Sequence, residues 1–311
     1  MDVLGWIALL AVGIVISVLA SMRTVKHARA LVQGSRIPPF FVGVTLLAVG
    51  TDLPEIANSI VSCAAGHGDL NAGDSIGSAM TQASLVLGLL PLVGGAFDFQ
   101  RRRVVVISAV TVAGLACGIL MMRDGDVGRV DALAFLGCWL LGSMIVWRHL
   151  AAEAAGPADL VPVRGKVHHA AAALGWLALV GLGAGGAVSA FVRLSTLLGV
   201  PEFVLSFFVA SIGTSLPELV LDVTALRAGL KDMALGDVVG SCFVDATLSI
   251  GIGPLFFPSA VTATLVTRGS LTAIGVMVFV ALLAVVARRH TRVTGMALVG
   301  LYVGVYFVLL G

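Results

Sequence analysis

The sequence predicts an all-α polytopic membrane protein of about ten transmembrane helices, arranged as two inverted-topology five-helix repeats. Three observations carry this prediction. Of the 311 residues, 59% are hydrophobic and only 12% are charged, against roughly 45–50% and 25% in soluble chains; the mean hydropathy is +1.07. Ten stretches have about the length and apolarity that a bilayer crossing needs. The two halves of the chain also align with one another at a constant offset of 163 residues. A soluble two-domain protein is excluded, and no basic tail or low-complexity tract points to nucleic acid. The expected surrounding is the lipid bilayer.

Residues 3–21 come first, with Trp6 near the start and neither a positive leader nor a cleavage site before them. They read as a span and not as a removed signal peptide. Residues 38–64 and 70–97 follow; both are longer than a span requires and are interrupted by Gly, Pro and carboxylates. Next come 104–122 and 131–147, the latter ending at Trp147, an interfacial-anchor type of residue. A polar connector holds Pro157, Pro162, His168 and His169; its histidines could hold a metal or belong to a solvated loop. It divides the chain into a first repeat (1–148), a linker (149–169) and a second repeat (170–311). The second repeat has spans at 170–192, 202–227, 233–257, 269–287 and 293–310. Cys63, Cys117, Cys138 and Cys242 lie in apolar stretches without metal-site or disulfide spacing, so they read as small hydrophobes.

The basic residues orient the chain. With the N-terminus outside, the odd-numbered loops carry 15 of the 19 Lys and Arg residues and the even-numbered loops carry 4. The positive-inside rule then places both termini outside and the linker in the cytoplasm. The expected location is a prokaryotic plasma membrane.

The internal repeat is densest where residues 50–92 meet residues 213–255, with 17 identities in 43 positions and no gap. The matches concentrate at polar, Gly and Pro positions. Gly-Thr-Xaa-Leu-Pro-Glu occurs at 50–55 and 213–218, each followed 18 residues beyond its glutamate by Gly-Asp-Xaa-Xaa-Gly-Ser. Five spans per half is an odd number, so the second half enters the membrane with opposite orientation. That plan recurs among secondary transporters, whose sites lie where broken helices meet at the midplane.

Seven carboxylates lie in or beside the repeated spans: Asp52, Glu55, Asp74, Glu218, Asp222, Asp237 and Asp245. No Lys or Arg lies deep in any span to neutralise them, and a charge at the bilayer centre costs about 3 kcal/mol even on lenient scales. Such anions require an external cation or a proton. Pro54 and Pro217 each lack an N–H and clash with the carbonyl four residues back, which predicts an opening at Gly50 and Gly213. Thr51 and Glu55 share a helical face, as do Thr214 and Glu218. Asp74, Ser78 and Gln82 form one polar stripe, and Asp237, Ser241 and Asp245 form its counterpart. Carboxylates, hydroxyls, an amide oxygen and freed carbonyls are the donor set of a hard cation such as Ca²⁺. Asp74 and Asp237 are equally open to reading as helix N-caps, and Asp222 as a vestibule residue. Gly73, Gly77, Gly236 and Gly240 suit close helix packing.

On these motifs the chain resembles the sodium/calcium exchanger family of the cation/calcium antiporter superfamily. The resemblance spans both signature repeats and the two-half plan. It implies that Glu55 and Glu218 are the main Ca²⁺ ligands and that Thr51 and Thr214 add oxygens. It implies Na⁺ contacts from the carbonyls of Ala48 and Ser211 and from Ser215. Ser78, Ser241, Gln82 and Asp245 complete the centre. The family also implies that the first and sixth spans slide past the rest. This sequence departs from the family pattern at Asp52, which stands opposite Ser215, at Gln82 in place of Asn or Asp, and at Ala79 in place of Asn. The expected function is Ca²⁺/Na⁺ antiport, not enzymatic catalysis, with H⁺ or K⁺ as alternative coupling ions. No cofactor is expected, since the cations are bound as substrates. An aspartyl protease is disfavoured because the two Gly-Asp pairs are copies without a partner motif. A passive channel would conduct without counter-ion coupling.

Overall fold

The computed structural model describes residues 2–32, 48–150, 166–227, 229 and 231–310. The elements in order are α1 (Val3–Val32), α2 (Ala48–Thr51), α3 (Leu53–Ala64), α4 (Gly68–Thr81), a π-helical turn (Gln82–Val86), α5 (Leu87–Gly94), β1 (Phe97–Asp98), α6 (Arg101–Met121), β2 (Asp126–Val127) and α7 (Arg129–Leu150). The second half has α8 (Lys166–Leu198), α9 (Glu202–Leu205), a π-helical turn (Ser206–Ala210), α10 (Ser211–Thr214), α11 (Leu216–Arg227) and α12 (Lys231–Val244). A further π-helical turn (Asp245–Ser249), α13 (Ile250–Phe256), β3 (Ser259–Ala260), α14 (Ala263–Val286), β4 (Arg289–His290) and α15 (Arg292–Leu310) complete it. The 163-residue offset reappears in this order: α3 and α11, α4 and α12, and the turns at Gln82 and Asp245 start and end at matching positions.

Seven of the described helical segments are long and apolar enough to cross a membrane: Val3–Ala20, Gly68–Gly94, Arg101–Met121, Arg129–His149, Val167–Leu198, Ala234–Phe256 and Ala263–Val286. Three expected spans are not among them. The second has residues 38–47 outside the described residues and is interrupted at Asp52; the seventh is interrupted at Ser215. The tenth has a shorter apolar stretch, Arg292–Val305. The expected loop at His168 and His169 is also revised: both lie in the first turn of α8, which starts before residue 170. An Ala-rich run follows them, and Ala is the best helix former.

The interior and exterior are reversed relative to a soluble protein. Leu4, Ile7, Val12, Val15 and Leu19 of α1 and Leu133, Leu140, Leu141 and Met144 of α7 are exposed, whereas Thr51, Asp52, Glu55, Ser78, Gln82, Glu218, Asp237 and Asp245 are buried. An apolar solvent explains that pattern. The segments Gly68–Gly94 and Ala234–Phe256 are 78% and 83% buried, against 22% for Val3–Ala20. The two segments carrying the polar stripes are therefore central and α1 is peripheral.

Glycines set the closest approaches. A Cβ at Gly73 or Gly77 would overlap the carbonyl oxygen of Phe203 or Phe207, which draws α4 against the segment that leads to α10. A Cβ at Gly13 would lie 2.8 Å from the Ala187 nitrogen and the Gly183 oxygen, so α1 and α8 touch backbone to backbone. Two short antiparallel ladders tie the halves together: Phe97 pairs with His290 and Asp98 with Arg289, while Asp126 pairs with Ala260 and Val127 with Ser259.

Candidate cation-binding centre

The two interrupted helices and the two central helices bring their polar positions to one buried place. At the first interruption, the Thr51 hydroxyl donates to the Ala48 carbonyl at 3.2 Å, and the Asp52 amide donates to the same oxygen at 3.0 Å. Asp52, at φ −74° and ψ 9°, steps out of helical geometry, and Pro54 follows in the first turn of α3. With no N–H, Pro54 returns nothing to the Gly50 carbonyl. At the second interruption, the Thr214 hydroxyl donates to the Ala210 carbonyl at 3.1 Å, and the Ser215 amide donates to the Ser211 carbonyl at 3.1 Å. Ser215 has φ −80° and ψ 5°. In both places the break is a single residue and helix resumes immediately, which keeps Glu55 and Glu218 in first turns.

Contacts then run crosswise between the halves. Thr51 Oγ1 lies 3.5 Å from Ser241 Oγ, and Thr214 Oγ1 lies 3.3 Å from Ser78 Oγ. These two pairs exchange under the 163-residue offset. Asp52, Glu55 and Glu218 are fully buried, and one oxygen from each lies within 4.8 Å of the other two. Two oxygens on opposite sides of a Ca²⁺ ion are about 4.6–5.2 Å apart, so the three could share one ion. Glu218 stands beside Asp52 and Thr51. Asp245 faces Gln82 and Ser249, with Glu218 close by. Among the described residues, neither oxygen of Asp52 or Glu55 meets a donor from another residue. Ion pairs join His67 with Glu202, Arg103 with Asp232 and Arg289 with Asp98, and these three lie away from the cluster.

The remaining expected residues are less free. Ala48 offers a carbonyl that already accepts two donors, and Ser211 one that accepts a single donor. Ser211 Oγ lies 3.1 Å from Thr81 Oγ1. Ser215 is buried, with its hydroxyl unpartnered among the described residues. The N-cap reading of Asp74 and Asp237 is overturned: both are buried in the interiors of α4 and α12, whose first residues are Gly68 and Lys231. Asn58, absent from the expected set, donates to Asp74 at 2.6 Å. Its position one helical turn beyond Glu55 was the available signal. Asn71, also unforeseen, donates to the Ile250 carbonyl at 3.0 Å and ties α4 to α13.

Fold and centre together define a polytopic α-helical membrane protein with an acidic, oxygen-lined interior. The profile of the sodium/calcium exchanger protein family matches residues 5–148 and 168–311. The chain belongs to that family, which is one of transporters. It is 30% identical over 268 residues to the inner membrane protein YrbG of Escherichia coli, covering 82% of this chain and 81% of that one. It is 25% identical over 293 residues to the sodium/calcium exchanger MaX1 of Methanosarcina acetivorans, covering 81% and 83%. Among solved structures, the sodium-calcium exchanger NCX_Mj superposes with a TM-score of 0.67 at 20% identity, over 97% of both chains.

Proposed function

We infer that the chain exchanges Ca²⁺ for Na⁺ by alternating access at a midplane acidic centre. The observation that carries this reading is the approach of Asp52, Glu55 and Glu218 to within 4.8 Å in a fully buried setting. Four carboxylates with Asp245 exceed the charge of one Ca²⁺, so the centre requires cations or protons before it can cross the low-dielectric interior. Thr51, Thr214, Ser78, Ser241, Gln82, Ser215 and the carbonyls of Ala48 and Ser211 supply the neutral oxygens. The ions are cargo, and no resident cofactor takes part.

The same reading makes residues 1–148 and 170–311 two five-helix repeats of opposite orientation, joined by a cytoplasmic linker at 149–169, with both termini outside a prokaryotic plasma membrane. Supporting it, contacts between the repeat-related helices α1 and α8 run from Gly13 with Gly183 and Ala187 to Ser17 with Val180 and His27 with His169. That order is antiparallel. A second reading, coupling to H⁺, is favoured by Asp52, which adds a carboxylate where the other repeat has Ser215. Uptake of ⁴⁵Ca²⁺ into proteoliposomes under imposed Na⁺, K⁺ or H⁺ gradients tests both. Uptake driven by Na⁺ alone supports the first reading, and uptake driven only by H⁺ or K⁺ overturns it.

A further inference from the structure

We propose that His27, His168 and His169 form a binding site for a borderline divalent transition metal, of which Zn²⁺ is the type, at one end of the α1–α8 pair. His27 lies in the last two turns of α1, and His168 and His169 lie in the first turn of α8. The Nδ1 atoms of His27 and His169 are 3.0 Å apart. Two nitrogens bound to one tetrahedral Zn²⁺ at 2.0–2.1 Å stand roughly 3.3 Å apart, so a small ring rotation converts the contact into a chelate. The third imidazole is close to both: the His168 ring centroid lies 6.1 Å from that of His27 and 5.7 Å from that of His169. The His27 and His169 nitrogens stand at chelating distance as they are; His168 reaches the same metal after a change of rotamer, with water completing the shell.

Donor chemistry separates this site from the acidic centre. Imidazole nitrogens select Zn²⁺, Ni²⁺ or Cu²⁺, whereas carboxylate and carbonyl oxygens select Ca²⁺. The Arg23 guanidinium sits 6.0 Å from the Trp176 ring centroid, a cation–π geometry that directs its charge to the ring. The antiparallel α1 and α8 already meet backbone to backbone at Gly13 and Gly183. A metal on the histidines staples the far end of the same pair.

The test uses the full chain, purified without a polyhistidine tag, both as the parent and with Glu218→Gln, which weakens the acidic centre. Zn²⁺ binding is measured by equilibrium dialysis, nitrogen ligation by the visible spectrum of Co²⁺, and thermal unfolding is followed with and without Zn²⁺. We expect one Zn²⁺ per chain in both backgrounds, with affinity reduced at least about tenfold by His27→Gln or His169→Gln and by a smaller factor in His168→Gln. Zn²⁺ should raise Tm in the parent and not in the first two variants. His27→Cys, which supplies another Zn²⁺ ligand, should retain binding and guards against loss through misfolding. No Zn²⁺ bound by the parent, or parent-like binding in His27→Gln and His169→Gln, overturns the proposal. Neither result bears on Ca²⁺ exchange, which the proteoliposome assay tests separately.

Discussion

Asp74 and Asp237 occupy equivalent positions in the two halves, yet their surroundings differ in charge. Asp74 receives the Asn58 amide at 2.6 Å and the Thr214 hydroxyl at 3.3 Å and has two carboxyl groups nearby, those of Glu55 and Asp245. Asp237 lies beside Asp222 and near Glu218 and Asp52, three further carboxyl groups. The residues responsible are repeat partners: Leu221 stands where the first half has Asn58, Asp222 where it has Ser59, and Asp52 where the second half has Ser215. The backbone obeys the two-half symmetry and the charge does not. Asp74 has two neutral donors among its neighbours, and one more carboxyl group lies around Asp237 than around Asp74. An asymmetry of charge is therefore built on a symmetric frame.

The largest expected effect falls on the carboxylates that both halves share. If the proposed exchange holds, Glu55→Gln or Glu218→Gln removes one of the two charges proposed to balance a divalent ion in low dielectric, a loss of about 3–5 kcal/mol, or a hundredfold and more in affinity. Ca²⁺ exchange should fall to background in proteoliposomes while the protein still elutes as a folded species. Near-parental exchange in either variant would place the ion elsewhere.

The comparison sharpens at Asp52. Asp52→Ser copies the second half into the first, and it should change the dependence of transport on Na⁺ and pH more than it changes Ca²⁺ affinity. Superimposable Na⁺ and pH curves for the two proteins would mean that Asp52 takes no part in coupling.

Asn58→Leu makes the opposite exchange, giving the first half the residue that the second half carries. It strips the buried Asp74 of its shortest hydrogen bond and should cost about 1–3 kcal/mol, read as a lower unfolding midpoint in detergent. Leu221→Asn adds a donor near a group already among carboxyls and should shift the midpoint upward or not at all. If the two midpoints moved together in the destabilising direction, packing and not charge would explain the difference between the flanks.

The smallest effect concerns Asp222→Ser, which gives the second half the residue that the first half has at Ser59. Ca²⁺ exchange should survive, with a modest change in monovalent-ion dependence in the same direction as for Asp52→Ser. A loss of Ca²⁺ exchange as severe as that of Glu218→Gln would instead make Asp222 a ligand of the divalent ion.

Membrane class, the 163-residue duplication and the identity of the repeated motif residues were legible in the sequence because each depends on local chemistry. Apolarity reports the solvent, periodicity reports the helix face, and a proline reports a missing N–H wherever it occurs. The sequence thus determined by itself that Glu55 and Glu218 sit in the first turns after helix interruptions. Only the tertiary structure decided which oxygens meet: that Thr51 reaches Ser241 while Thr214 reaches Ser78, that Asp74 is an interior residue bound to Asn58, and that His27 faces His169 across 142 residues of chain. Those pairings join segments far apart in the chain, and their distances are set by helix packing at Gly13, Gly73, Gly77 and Gly183. A glycine read in sequence is only permissive; which backbone comes to lie against it is a property of the assembled fold.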